Sequence, residues 1–372
     1  MKTISVISDK STYNVCVTNG FDGLAAALSE AGLTGRTTAV ICDDMVAPLY
    51  LQDVRERVAP ISSYYAEMII GAGESAKSFP RFESIIGFLM ENSFQRDSLV
   101  IALGGGVVSD VAGFAAATYM RGISCAIIPT TLLSMCDGSI GGKTGVDVGA
   151  YKNVVGAFAS PALVYSNVDS LRTLPSREYS SGMAEAVKHA LIKDESYLDW
   201  IEANLNGLRS HDVGTLERLV ARSCEIKAEV VSQDEFERFG IRETLNFGHT
   251  FGHALEGLSG YSLHHGECVS IGMVAAMKLS ANLGYIREQE TSRVCTLLEV
   301  LGLPTCEASG GLPPGQLYEM MLHDKKVRNG KLRLVLLKQI GEAVMYTPTR
   351  EEVLAALNMI TIRGENHGMG RQ

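Results

Sequence analysis

The stretch LNFGHTFGHALE at 245–256 sets His249 and His253 four residues apart in a run that otherwise patterns as a buried helix. Four residues is little more than one helical turn, so both imidazoles leave the same face and can reach one divalent metal. Upstream, GMAEAVKHALI at 182–192 holds Glu185, Lys188 and His189 among apolar residues. Glu185 and Lys188 share a face and have the spacing of an ordinary i,i+3 ion pair. A carboxylate in an apolar stretch needs a partner, and a metal ion is another one. HHGECVSIGMVAAM at 264–277 places His264 and His265 before Gly266, with His265 opening a buried helix. Glu185, His249 and His265 would together compose the two-histidine, one-carboxylate set of a catalytic zinc with an open position. Spacing alone does not bring them together.

Three glycine-rich stretches suit anion binding. ALGGG runs directly into the helical pattern VVSDVAGFAAATYM, so backbone N–H groups and a helix N-terminus can face a diphosphate, although the glycine spacing is not G-x-G-x-x-G. GAGESAKSF at 71–79 offers Glu74 and Lys77. CDGSIGGKTGVDVGAYKNVVGAF at 136–158 carries Asp137, Lys143, Lys152 and Asn153 without helical or strand period. Because the apolar runs IIPTTLL and VVGAF flank it, this segment is expected to pass through the interior and line a ligand site.

The elements that must position these groups fall into two halves. Up to Asp169, apolar β-branched runs at 37–44, 97–106, 123–131 and 161–169 alternate with helical patterns, the signature of a parallel sheet covered on both faces. At the end of the first run, Asp43 or Asp44 is placed to accept from a ribose hydroxyl. Beyond Asp169 a 3.6-residue period dominates over 176–205, 214–233, 244–257, 266–284 and 288–301, with one strand pattern at 332–337 and a helix at 350–358. The expected organisation is a first domain over 1–169, a helical domain over 170–360 and a flexible tail over 361–372.

The 372 residues suffice for two domains, and 46% hydrophobic with 20% charged residues is ordinary for a soluble globular chain. A net charge of −9 argues against nucleic acid, which demands a dense excess of Lys and Arg. The eight scattered cysteines, with no C-x-x-C pair, suit reduced thiols in the cytoplasm. No apolar run of membrane-spanning length is present, so no membrane association is expected.

In chain order, GGGVVSDVAGFAAATYMRG, PTTLL, GGKTGVD, KNVVGAF, LPSRE, GMAEAVKHALI, IKAEVV, LNFGHTFGHALE and HGE resemble the motif series of the 3-dehydroquinate synthases, sugar phosphate cyclases of the shikimate pathway. The resemblance runs from Asp43 to DKK at 324–326. It implies a Rossmann-like NAD-binding α/β domain followed by an all-helical domain, with the active site in the cleft between them. It implies a zinc or cobalt ion on Glu185, His249 and His265. NAD would lie on Asp43, Glu74, Lys77, the loop Gly105, Gly106, Val107, Val108, Ser109 and Asp110, and on Thr130, Thr131, Lys143, Lys152, Leu171 and Thr173. The substrate, a phosphorylated sugar acid, would touch Asp137, Lys143, Asn153, Lys188, Lys227, Arg242, Asn246, His253 and Lys325. Arg121 would enter the neighbouring subunit's site, which implies a homodimer. The implied reaction converts 3-deoxy-D-arabino-heptulosonate 7-phosphate to 3-dehydroquinate and phosphate through transient oxidation by NAD, elimination, re-reduction, ring opening and aldol closure. His253 would relay a proton.

Ser109 stands where the family usually has Gly, Tyr151 where it has the Gly of GKN, FASP at 158–161 where FHQP is frequent, and DEFERFGIR carries one extra residue. Ser109 would be strained if its position required positive φ. Two enzyme classes compete with this reading: another cyclase making a cyclitol from a heptulose or hexose phosphate, and a metal-dependent polyol dehydrogenase. Retention of GGK at 141–143, Lys227, Arg242 and Asn246 favours a substrate bearing a carboxylate. A non-catalytic protein that kept the fold is the alternative outside enzymology.

Overall fold

The computed structural model describes residues 1–7, 12–149, 151–260, 262–307, 312–322 and 332–361. Its contacts divide the chain into two compact units, Met1–Pro175 with Asn204–Phe239, and Ser176–Ala203 with Gly240–Gln372. The first crossing falls six residues beyond the boundary expected from sequence, and 204–239 groups with the first unit instead of continuing a helical domain from 170. The reason is packing: the helix Val213–Gln233 buries Leu216, Leu219, Val220 and Ile226 and pairs Glu225 with Lys2 at 2.6 Å.

The first unit is built on a seven-stranded sheet of β1 (Lys2–Ile7), β2 (Thr12–Thr18), β3 (Thr37–Asp43), β4 (Tyr64–Ile70), β5 (Leu99–Gly104), β6 (Ser124–Pro129) and β9 (Leu163–Asn167). Its order is β1-β2-β9-β6-β5-β3-β4, and only β1 with β2 is antiparallel. Residues of β3 alternate between two cores. Val40 and Cys42 join Leu24, Leu28, Val54 and Val58 on one face. Ala39 and Ile41 join Ile85, Leu89, Val111 and Ala115 on the other. The crossover after β3 therefore covers one face and that after β5 the opposite face, which makes the adjacent ends of these two strands a topological switch point. Asp43 and Gly105 lie at those ends.

The remaining strands of this unit, β7 (Lys143–Val148) and β8 (Tyr151–Phe158), form an antiparallel hairpin with an irregular register after Val146. The segment shows no strand period in sequence, and the expectation of irregular chain is corrected by these two strands. Two opposed glycines hide the alternation: a Cβ on Gly156 would stand 2.0 Å from the Thr144 carbonyl oxygen, so the strands approach more closely than side chains permit. From Cys136 to Val146 the segment is largely buried, as expected, whereas Tyr151 to Phe158 is mostly exposed or half-buried.

The second unit is mainly helical. Helices Ser176–Lys193, Glu195–Ala203, His249–Leu258, His265–Asn282, Glu288–Val300, Pro314–Leu322 and Arg350–Ile360 are joined by a hairpin of β10 (Leu334–Gln339) and β11 (Glu342–Tyr346). The expectation of an all-helical domain is corrected by that hairpin. The pattern at 176–205 is also two helices, because Asp194 Oδ1 accepts from the Tyr197 N–H and starts the second. No helix among the described residues is long and apolar enough to cross a membrane. Of the expected tail, residues 362–372 lie outside the described residues.

Candidate active site

Within the second unit, three helices bring Glu185, His249 and His265 together. Glu185 sits in the buried middle of Ser176–Lys193 and is itself fully buried. Gly248, at φ 78°, turns the chain so that His249 is the first residue of its helix, and His265 is the first of the next. The approach of His265 to Glu185 depends on Gly266. Its N–H donates to Ser181 Oγ at 2.9 Å, one turn before Glu185, and a Cβ on it would meet the Ser181 carbonyl oxygen at 2.1 Å. Gly266→Ala is therefore expected to force the helices apart, costing about 1–3 kcal/mol in overpacking. A lower thermal midpoint together with weaker Co²⁺ uptake would register it.

The donor atoms of the three side chains all lie within 4.8 Å of one another. His249 Nε2 stands 3.5 Å and His265 Nε2 3.6 Å from the same Glu185 oxygen, Oε1. Ligands about 2.0–2.1 Å from one tetrahedral zinc are separated by roughly 3.3–3.4 Å, so these spacings are those of a nearly closed coordination edge. The opposite nitrogens are directed too. His249 Nδ1 lies 3.2 Å from the Phe247 carbonyl, which can only accept, so the proton belongs on Nδ1 and the lone pair on Nε2.

Lys188 pairs with Oε2 of Glu185, both side chains being 1% exposed, so the i,i+3 ion pair forms and the second oxygen still faces the histidines. Burial, reinforced by the Lys188 charge, holds His249 well below the ordinary imidazole range. Burial also favours neutral His265, but the neighbouring carboxylates of Glu185 and Glu256 outweigh it and push its pKa up to about 9.

His253 is not a member of the donor set. Its ring lies 5.5 Å from that of His249 and 6.3 Å from that of His265, centroid to centroid, and it is exposed where His249 is buried. Arg242, 2% exposed, begins the short turn that ends at Asn246, immediately before Phe247. Lys325 lies outside the described residues.

The anion-binding candidates lie in the first unit. Gly105 caps the helix Gly106–Thr118, whose first turn exposes backbone N–H groups around Gly106 and Val107 at the switch point, while Val108 is buried. Ser109 lies inside this helix, not at positive φ, and its Oγ donates to the Gly105 carbonyl at 3.1 Å. The hydroxyl is thereby turned back on the helix and no strain arises.

Asp43 Oδ1 accepts from the N–H groups of Met45 and Val46 at 3.0 and 2.8 Å, and Asp44 Oδ1 accepts from Ala72 at 3.0 Å. Asp43 Oδ2 borders Gly104, where a Cβ would sit 3.3 Å from it. Thr130 donates its N–H to the Gly104 carbonyl at 3.0 Å, and Thr131 packs on Gly105. Leu171 is fully buried and has only its backbone to offer, while Thr173 meets the hydroxyl of Tyr50. All these residues follow parallel neighbouring strands and share the carboxyl edge of the sheet.

Lys77, 5% exposed, pairs with Asp110 at 2.5 Å, and Lys152 with Glu74 at 3.3 Å. Asp147, which the sequence did not single out, accepts from the Asn153 N–H at 2.8 Å and supports that residue's φ of 54°. Lys227 Nζ stands 2.9 Å from Asp137 Oδ1, and Lys143 2.5 Å from Glu237. Arg121 lies apart. It is exposed at φ 66° in the turn after the helix Gly106–Thr118, at the amino edge of the sheet. Thirteen residues of helix, about 20 Å, separate it from the glycine loop.

Two family profiles, described as 3-dehydroquinate synthase N-terminal and C-terminal, match residues 67–181 and 182–327. A curated 3-dehydroquinate synthase of Pseudomonas fluorescens is 43% identical over 362 residues, covering 96% of each chain. That of Acidithiobacillus ferrooxidans is 40% identical over 346 residues, covering 93% of this chain and 94% of its own.

The chain belongs to the 3-dehydroquinate synthase family.

Solved structures extend the likeness to the wider fold. ValA, a 2-epi-5-epi-valiolone synthase from Streptomyces hygroscopicus subsp. jinggangensis with NAD⁺ and Zn²⁺ bound, superposes with a TM-score of 0.86 at 28% identity, covering 96% of this chain and 98% of its own. A 2-deoxy-scyllo-inosose synthase complexed with carbaglucose-6-phosphate, NAD⁺ and Co²⁺ gives 0.84 at 23% identity, covering 96% and 100%. A probable glycerol dehydrogenase from Sinorhizobium meliloti gives 0.66 at 13% identity, covering 94% and 96%, and shares the fold alone. The two curated synthases, at 43% and 40%, are thus more similar to this chain in sequence than these three structures are. What sequence reasoning missed are the acceptors behind the ligands, Glu256 and the Phe247 carbonyl. Glu256 had one legible signal: it lies seven residues after His249, on the same helical face.

Proposed function

We infer that the protein is a 3-dehydroquinate synthase, a carbon–oxygen lyase that uses NAD and one divalent ion to convert 3-deoxy-D-arabino-heptulosonate 7-phosphate to 3-dehydroquinate and phosphate. The observation that carries this reading, in a chain of that family, is the pair of imidazole Nε2 atoms turned onto one buried carboxylate oxygen. The donor set fits zinc or cobalt: one carboxylate and two imidazoles, His265 giving up its proton as the metal binds, and these three protein ligands would leave a coordination position for substrate. When bound, NAD supplies the hydride acceptor and donor, and the metal supplies a Lewis acid for the carbinol oxygen.

The chain's own residues do the rest. Lys188 is the buried counter-charge beside the Glu185 carboxylate. Asp43 and the Gly105–Asp110 turn hold the dinucleotide, with Lys77 and Lys152 fixed by Asp110 and Glu74. Lys143 and Lys227 of the first unit, and Arg242 of the second, each supply positive charge for a phosphate or a carboxylate in an anionic protein. Binding would draw Lys143 from Glu237 and Lys227 from Asp137. His253, exposed beside the ligands without joining them, moves the proton of ring opening.

Arg121, at the edge of the sheet remote from its own glycine loop, serves a second copy of the chain. Mixing Arg121→Ala with His265→Ala subunits then rebuilds one complete site in each mixed dimer. Two inactive preparations should recover about one quarter of wild-type activity after random exchange, measured as phosphate release; no recovery would contradict the assignment. The reaction itself is tested by supplying the heptulosonate phosphate or sedoheptulose 7-phosphate with NAD and zinc. Turnover of the first alone is expected, and turnover of the second alone would establish a cyclitol-forming cyclase instead.

A further inference from the structure

We propose that Glu256 is a positioning residue for His265, holding the ring through Nδ1 so that Nε2 points at the metal. The proposal rests on the reading that Glu185, His249 and His265 are the ligands. His249, His253 and Glu256 follow one another at i, i+4 and i+7 on the helix His249–Leu258, so one face presents all three toward the start of the helix His265–Asn282. Glu256 Oε2 stands 3.8 Å from His265 Nδ1, and the residue is 8% exposed. An approach of about 1 Å takes that contact to hydrogen-bond length.

An ionised carboxylate can only accept, so in the neutral ring that binds a metal this contact keeps the proton on Nδ1 and leaves the lone pair on Nε2, 3.6 Å from Glu185 Oε1. The two imidazoles are thus bracketed in the same way, but by different acceptors. Behind His249 is the neutral carbonyl of Phe247, carried by the ligand's own chain two residues back. Behind His265 is a full negative charge from another helix, which fixes the ring and makes it a stronger donor. His265, 31% exposed in its side chain against 10% for His249, is the ligand with less protein around it to restrain its ring. It has more need of such a partner.

The test is a Co²⁺ titration of the metal-free full-length protein, followed by the visible absorption of bound cobalt, on wild type, Glu256→Gln, Glu256→Asp and Glu185→Gln. Glu256→Gln keeps the shape and removes the charge. It should weaken Co²⁺ binding about 10- to 100-fold and shift the cobalt bands, while the thermal midpoint of the metal-free protein stays at the wild-type value. Glu256→Asp should restore part of the affinity. Wild-type affinity and bands in Glu256→Gln would overturn the proposal while leaving the ligand set intact. So would a lowered metal-free midpoint with unchanged bands, the mark of a merely structural role. Failure of the wild type to bind Co²⁺, or wild-type binding by Glu185→Gln, would overturn the ligand reading and this inference with it.

Discussion

His265→Ala is expected to yield a folded protein that no longer retains a divalent ion and has lost activity by about three orders of magnitude or more. The side chain supplies one of three donors, and the two that remain, Glu185 and His249, are 3.5 Å apart on one side of the position a metal would take. Lewis-acid stabilisation is worth several kcal/mol in such reactions, and each 1.36 kcal/mol is a factor of ten in rate. The loss should not come from unfolding. His265 opens its helix and is half-buried, whereas the packing that holds the helix is made by Gly266, Cys268, Val269 and the residues beyond. Metal content after dialysis, measured together with phosphate release, checks both halves. Full metal retention would mean that another residue completes the set.

His253→Ala should do the opposite to the metal. Its ring is near those of the ligands, at 5.5 and 6.3 Å, yet its nitrogens are not in the cluster of donor atoms. One equivalent of metal should remain while kcat falls by about 10²–10⁴, the usual contribution of a positioned acid or base. On the proposed function the two histidines one turn apart do different work: the buried one, oriented by the Phe247 carbonyl, would bind the metal, and the exposed one would move protons. Loss of metal from the His253 variant would erase that division.

The parallel strands β3, β5, β6 and β9 were legible because burial on both faces leaves uninterrupted apolar runs. β1, β2 and β4 were not. β1 and β4 are the sheet's edges, with one side exposed, and all three mix polar with apolar residues, which carries a weaker signal. The β7–β8 hairpin escaped because Gly145 and Gly156 face each other where a side chain would clash. The grouping of Val213–Gln233 with the first unit depends on contacts with strands some 200 residues earlier, which periodicity does not report. Within the site, the types and spacing of Glu185, His249 and His265 suggested a ligand set from sequence, and the packing of Gly266 on Ser181 supplies the reason they meet. The pairing of Glu256 with His265 crosses from one helix to the next, so spacing along either helix could not disclose it.

The most direct test of the central claim follows phosphate and NADH in one cuvette as the metal-loaded protein acts on 3-deoxy-D-arabino-heptulosonate 7-phosphate with NAD. The account predicts steady release of phosphate, equal to the dehydroquinate formed, with no net accumulation of NADH, because the hydride removed is returned within each turnover. NADH rising in step with substrate consumption would contradict it and mark the protein as a dehydrogenase.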